Sequence, residues 1–483
     1  MPVLRGGVTA DEYYNPDIYF EEQEPQVPEK PVDVSGKVML ILGQFQKGSP
    51  NEIYTVIGEK QFKERLGQFL DAYPGSKAAY TAFKKGIKKL ICVPVWPNDA
   101  SAAFISLQSR TEQPADSLKI TLKSPGRLGD DHTCEVANGT APDTFRIILN
   151  GPGIPTETYD NVKSIDEAIQ AINLLSNVYQ AELIAKADPQ APLAVIEPTR
   201  FTGGSDGNMP QSPNSVYKGG VSSSTGEKTG LALAITSAEA TDIVADIFVS
   251  DEFTDALLEA AEKKNAFGYA QVAPSTSVSA AINRRNKYDT EFAHLALGYA
   301  KSRKMGWWVP VSVYDCIAHI LTPVQDGTAG FTFADVERLD VMISDEESEQ
   351  LTKNHVVHMG QMIDSERNTV FGMKNDYTLS TDPRYKQTYR RRVTSLIETD
   401  YYIVMRPYRS VHLSSTVIKN AELATRNYFD ELKKREIAQD YSVSFTPPEQ
   451  IGNIDELIED LVVDLYNIAD KIRIRLLSAA NAM

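Results

Sequence analysis

The apolar run KVMLILGQF (37–45) reads as a buried strand, and its surroundings restrict the fold more than any other feature of the chain. Two amphipathic helical stretches follow, EKQFKERLGQFL (59–70) and GSKAAYTAFKKG (75–86), and then a second strand, KKLICVPVW (88–96). This β-α-α-β order predicts an α/β layer domain. The same texture returns after Gly230: strand DIVADIFVS, helix DEFTDALLEAAEKKN, strand FGYAQVA, helix TSVSAAINRRNKYDT and strand FAHLALGYA. Between the two blocks the pattern is shorter and turn-rich. SLKITLKS, TCEVAN and TFRIILNG read as strands, and SIDEAIQAINLLSN as one helix.

These textures predict an α+β multidomain chain, and 483 residues are enough for two or three domains. Residues 1–35 form an arm, 36–98 the first part of a discontinuous α/β core domain, and 99–205 a β-rich inserted domain. Residues 206–455 form the second part of the core, and 456–483 a C-terminal strand segment. A long helix is expected from about 416 to 435, then DYSVSFTPPE, then two strands around a turn in LVVDLYNIADKIRIRLLSAANAM. TDYYIVMRPYR (399–409) carries no assigned element.

A formal charge of −16 argues against sequence-independent nucleic-acid binding, which needs clustered Lys and Arg to neutralise phosphates. No stretch approaches the roughly 18 consecutive apolar residues of a membrane span, and MPVLRGGVTADEYYNPDIYF does not read as a secretory leader. Cys92, Cys134 and Cys316 are odd in number and far apart, fitting neither a disulfide framework nor a CxxC site. A reducing cytoplasm is the expected compartment of synthesis.

Candidate chemistry is sparse. GGVSSSTGEKTG (219–230) fails as a P-loop, because Val221 and Glu227 stand where glycine and lysine are required. FTGGSDGN (201–208) lacks GxGxxG spacing. There Gly203, Gly204 and Gly207 allow positive φ in consecutive turns, with Asp206 expected to bond its own backbone. His355 and His358 could share a helix face, but no third ligand sits at suitable spacing. SDEESEQL (344–351) reads as a solvated face or an acidic helix start. No catalytic, cofactor-binding or metal-binding residue is assigned.

The two ends are more informative. Asp17, Tyr19 and Glu21 alternate with Ile18 and Phe20, while Lys471, Arg473 and Arg475 alternate with Ile472 and Ile474. An acidic and a basic strand can pair between subunits by strand addition, or be ordinary edge strands of one domain. Both readings stay open on these residues alone.

In order along the chain, several motifs resemble the tail sheath proteins of contractile phage tails and related injection machines. They begin with NPDIYFEEQ (15–23), LILGQFQKGSPNEIYTVIGEKQFKERLG (40–67) and KAAYTAFKKGIKKLICVPV (77–95), where Pro94 replaces an arginine of the family. SPGRLGDD (124–131) resembles a family turn with Leu128 for tryptophan and Asp130 for asparagine. TFRIILNG, ETYDNV and FTGGSDGN follow, the last similar to the turn that closes the family's inserted domain. TVFGMKNDYTL (369–379) and YRRRVTSLIETDYYIVMRPYR (389–409) look like its final core segments.

The resemblance implies a homo-oligomer of stacked six-membered rings, forming a helical sheath around an inner tube. The terminal arms would exchange strands with neighbours, and contraction would start at a baseplate without nucleotide. Its partners would be the inner tube protein and the baseplate and tail terminator proteins, with no cofactor, nucleic acid or membrane insertion. The place would be a virion tail, or an injection device, assembled in a bacterial cytoplasm. The helix near 416–435 is a candidate tube-facing element. The competing class is an α/β enzyme or binding protein that uses the two Gly-rich loops for an anionic ligand.

Overall fold

The computed structural model describes residues 3–4, 20–21, 38–111, 114–223, 225–363, 366–409, 411–412, 414–446 and 458–468. The chain falls into two compact units. The larger comprises Val34–Ser395 and Ile468–Met483, the smaller Met1–Asp33 and Leu396–Asn467. Among the described residues, 396–446 fall in the smaller unit.

The larger unit is built on a nine-stranded sheet. Its order is Thr332–Phe333, Thr369–Met373, Val357–Ile363, Ala293–Leu297, Phe267–Gln271, Asp242–Ala245, Met39–Gly43, Lys89–Pro94 and Tyr54–Ile57. From Val357–Ile363 to Lys89–Pro94 every neighbouring pair is parallel, and the outer strands add antiparallel. A parallel sheet must be covered on both faces, and the alternation along Met39–Gly43 does this. Met39 and Ile41 enter one apolar cluster, and Leu40 and Leu42 enter the other. The first face is covered by helices Gly58–Leu66, Pro74–Lys84 and Val311–Leu321, and the second by Asp251–Lys264 and its neighbours.

Helix Asp251–Lys264 shows why the sequence signals were readable. Ser250 accepts from the N–H of Phe253, Asp251 and Glu252 sit in the first turn, Lys263 and Lys264 in the last, and Asn265 ends the helix at φ 54°. Each feature satisfies orphan backbone groups or complements the helix dipole.

The stretch between the two α/β blocks folds around its own core of Leu118, Ile120, Val136, Ile147, Ile172 and neighbours. It has a four-stranded sheet (Glu157–Val162, Phe145–Asn150, Thr133–Asn138, Ile196–Arg200) and a three-stranded one (Tyr179–Leu183, Asp116–Leu122, Phe104–Gln108). Helix Ile165–Leu175 packs on it, capped by Ser164.

In the smaller unit, Val3–Leu4 pairs in parallel with Phe20–Glu21. Helix Ser415–Lys434, capped by Ser414, buries Ala421, Ala424, Thr425, Tyr428, Phe429 and Leu432, the i, i+3, i+4 stripe of an amphipathic helix. Strands Ala438–Thr446 and Ile458–Leu465 form an antiparallel hairpin, and the Tyr441 ring lies 5.2 Å from that of Phe429. TDYYIVM belongs to helix Thr388–Met405, whose residues up to Ser395 are in the larger unit and the rest in the smaller.

Candidate functional site

At the turn 201–208 the chain leaves the inserted segment beside the strand by which it entered. Ser101 and Ser205 exchange both backbone hydrogen bonds (3.0 and 2.9 Å), as do Phe104 and Thr202 (2.9 and 3.0 Å). Gly203 and Gly207 have φ of 85° and 65°, which L side chains rarely adopt. Gly204 is needed for space, because a Cβ there would lie 2.6 Å from the carbonyl oxygen of Gly126.

Asp206 departs from the expected local turn, since its carboxylate reaches across the chain and not to its own backbone. Oδ2 accepts from the Tyr73 hydroxyl (2.9 Å) and Oδ1 from the N–H of Arg127 (2.8 Å). Burial and this carboxylate together push the Tyr73 phenol up to about 12. Asp99 accepts from the N–H of Asn208 (2.9 Å), which holds its carboxyl below the usual range. The turn's donors and acceptors thus serve the chain itself.

The loop 219–230 closes through a bridge between Val221 and Lys228, and Glu227 accepts from the Thr225 hydroxyl (3.1 Å). A cleft of about 360 Å³ does lie between the inserted segment and the sheet domain, but neither Gly-rich loop lines it. Its Arg65 and Lys123 donate to the carbonyls of Thr55 (3.2 Å) and Ser176 (2.8 Å).

His355 and His358 do not share a helix face. His355 sits at φ 54° just beyond helix Asp345–Lys353, and His358 lies in strand Val357–Ile363. His358 meets the Ser348 hydroxyl (2.8 Å), and burial pushes its pKa down to about 4. The acidic stretch SDEESEQL is a helix start with a capping box, in which Ser344 and Glu347 satisfy each other's backbone N–H.

Of the terminal strand residues, Phe20 and Glu21 form the described strand next to Val3–Leu4. Asp17, Ile18, Tyr19, Lys471, Ile472, Arg473, Ile474 and Arg475 lie outside the described residues.

Sequence reasoning passed over a buried polar cluster under the sheet. Asp315 and His319 stand four apart on helix Val311–Leu321, His294 on strand Ala293–Leu297, Asp376 beyond strand Thr369–Met373, and Thr388 opens helix Thr388–Met405. All five are buried. His294 donates through Nδ1 to Asp315 Oδ2 (2.7 Å), and its Nε2 meets the Thr388 hydroxyl (2.5 Å). His319 Nε2 lies 2.9 Å from Asp376 Oδ1, whose other oxygen accepts from the N–H of Thr328 (2.8 Å). Burial opposes charge on His319, but the carboxylates of Asp376 and Asp315 outweigh it and raise its pKa to about 10. Burial likewise works against the charge of Asp376, yet His319 beside it holds the carboxyl well below the usual range. One half of the cluster was visible as the i, i+4 pair in VSVYDCIAHIL.

The sequence matches no family model and no curated protein. Among solved structures, the fold is similar to a sheath tail protein from Listeria innocua, with a TM-score of 0.64 and 13% identity over 89% of this chain and 95% of that one. A sheath tail protein from Desulfitobacterium hafniense gives a TM-score of 0.57 at 14% identity, covering 93% of this chain and 100% of that one. The helical sheath of the anti-feeding prophage in its contracted state gives 0.55 at 12% identity, covering 96% and 99%. The chain therefore has the fold of contractile sheath proteins, and no helix among its described residues is long and apolar enough to cross a membrane.

Proposed function

We propose that the chain is the structural subunit of a contractile tail sheath, polymerising helically around an inner tube and contracting to drive that tube through a target envelope. The observation that carries this reading is the likeness of fold over nearly the whole chain to sheath proteins, one of them in a contracted helical sheath. A head-to-tail interface that does not close builds such a helix. Contraction would draw on the difference between subunit contacts in two arrangements, with no catalytic step in this chain and no nucleotide. Its partners would be further copies of itself, the tube protein, and the baseplate and terminator proteins.

Strand exchange through the terminal arms is part of the proposal. Among the described residues, the hairpin Ala438–Thr446/Ile458–Leu465 is a two-stranded sheet with an outer edge on each strand, an arrangement marginal in isolation and receptive to added strands. The acidic segment around Asp17–Glu21 and the basic one around Lys471–Arg475 supply candidate strands. Opposite charges would contribute about 0.2–1 kcal/mol per cross-strand pair, enough to choose partners while the main chain supplies most of the affinity.

Negative-stain electron microscopy of the full-length protein, beside a chain lacking residues 1–24, tests this. Striated hollow tubes from the full-length protein alone are expected. Normal tubes from the truncated chain would remove the arm from the mechanism. Monodisperse globules from the full-length protein, even with tube and baseplate proteins supplied, would overturn the sheath reading itself.

A further inference from the structure

The sheath reading makes no use of the buried histidines. We propose that His294, His319 and Asp376 bind a zinc ion, with Asp315 as the positioning residue that orients both imidazoles.

Geometry supplies the first argument. Asp315 takes Nδ1 of His294 on Oδ2 (2.7 Å), and its Oδ1 lies 3.2 Å from Nδ1 of His319. The backbone carbonyl of Asp315 lies 3.0 Å from the same Nδ1, so carboxylate and carbonyl of one residue hold the two rings from behind, the kind of partner that orients metal-ligating histidines. The opposite nitrogens converge on Asp376: Nε2 of His319 is 2.9 Å and Nε2 of His294 3.7 Å from its Oδ1, and the three donor atoms lie within 4.8 Å of one another. Zinc–ligand bonds of about 2.0–2.1 Å in a tetrahedron place ligand atoms roughly 3.3 Å apart, between the 2.9 and 3.7 Å found here.

Charge supplies the second. Two carboxylates are buried together, and Oδ1 of Asp315 has no hydrogen bond. The nearby guanidinium of Arg392 donates through Nη1 to the carbonyl of His319 (2.8 Å). A divalent cation in place of the His319 proton puts one further unit of positive charge beside the two carboxylates, where water cannot reach. Imidazole nitrogens with one carboxylate favour zinc over magnesium or calcium, which prefer oxygen. Binding replaces the proton on Nε2 of His319, which leaves to solvent, and displaces the Thr388 hydroxyl from Nε2 of His294, where it now lies at 2.5 Å. The ion would join a sheet strand, helix Val311–Leu321 and the segment that leads to helix Thr388–Met405.

Elemental analysis of the full-length protein, produced with zinc in the medium, should find about one zinc per chain, and His319→Gln should hold less than about a tenth of that. Asp315→Asn should weaken zinc about 10–100-fold in competition with a chromophoric chelator. His358→Asn, at a buried histidine outside the cluster, should leave zinc content unchanged. If His319→Gln does not fold, cobalt substitution decides: tetrahedral d–d bands are expected in the wild type and weaker loading in Asp315→Asn. A zinc-free wild type whose thermal midpoint does not respond to added zinc, or zinc retained by folded His319→Gln, would overturn the site and leave an imidazolium between two carboxylates.

Discussion

Gly204 and Gly207 fail differently when a methyl group is added. Gly207 combines φ of 65° with a Cβ position 2.6 Å from Asp99 Oδ1, and Gly204 meets backbone at 2.6 Å. Alanine at either should cost about 1–3 kcal/mol in a denaturant melt, whereas Gly226→Ala, at φ 74° with open space around it, should cost about 1 kcal/mol. A second residue-scale prediction concerns Asp246, buried with the Tyr217 hydroxyl at 2.6 Å and the N–H of Gln44 at 3.0 Å. Burial pushes its carboxyl up to about 7 from 3.8, so the folded state holds the proton more tightly than the unfolded chain. Stability from this group is full below 3.8 and declines by about 1.4 kcal/mol per pH unit until the pH passes about 7. Asp246→Asn removes that decline, so its unfolding free energy relative to wild type should rise across this window; a flat difference would count against the assignment. At this scale Gly203 and Gly207 show what a sequence can carry, because positive φ is a local property, while Gly204 lacks it and is needed instead for its approach to Gly126. The partners of Asp206 were not legible, because Tyr73 is 133 residues away. The same holds for His294 and His319, joined only when the sheet forms.

Strands and helices read well where their signals are contained in a few turns. DEFTDALLEAAEKKN carried its charge asymmetry and its terminator within the quoted letters, with the cap Ser250 just before them, and the structure places the helix at Asp251–Lys264. Ser250→Ala should therefore cost about 1 kcal/mol by removing the acceptor for the N–H of Phe253. Protection of the helix's first amides in hydrogen exchange checks the loss locally. Helix Thr388–Met405 was harder to read. TDYYIVMRPYR mixes β-branched and aromatic residues of low helix propensity with charges, so no helical period stands out in its letters. Strand Val357–Ile363 was missed as well: VHMGQMI is buried over its first three residues and then alternates, so neither period dominates.

At the scale of the whole chain, two blocks of one sheet are separated by more than a hundred residues, yet Met39–Gly43 and Asp242–Ala245 pair side by side. The texture of the sequence changes near residue 99 and again after Gly230, because fully buried parallel strands and half-exposed antiparallel ones differ in composition. The two-unit division was not visible, since it depends on contacts and not on pattern. The interrupting segment has its own apolar core, and its two ends run antiparallel through the Ser101–Ser205 and Phe104–Thr202 pairs. That rung acts as a socket. A foreign domain whose termini lie about 5 Å apart, the spacing of paired strands, should replace residues 105–201 without re-threading the sheet, and the chimera should keep the cooperative melt of the larger unit. Each copy of the chain would then carry an interchangeable load, with chemistry chosen independently of the sheet that bears it.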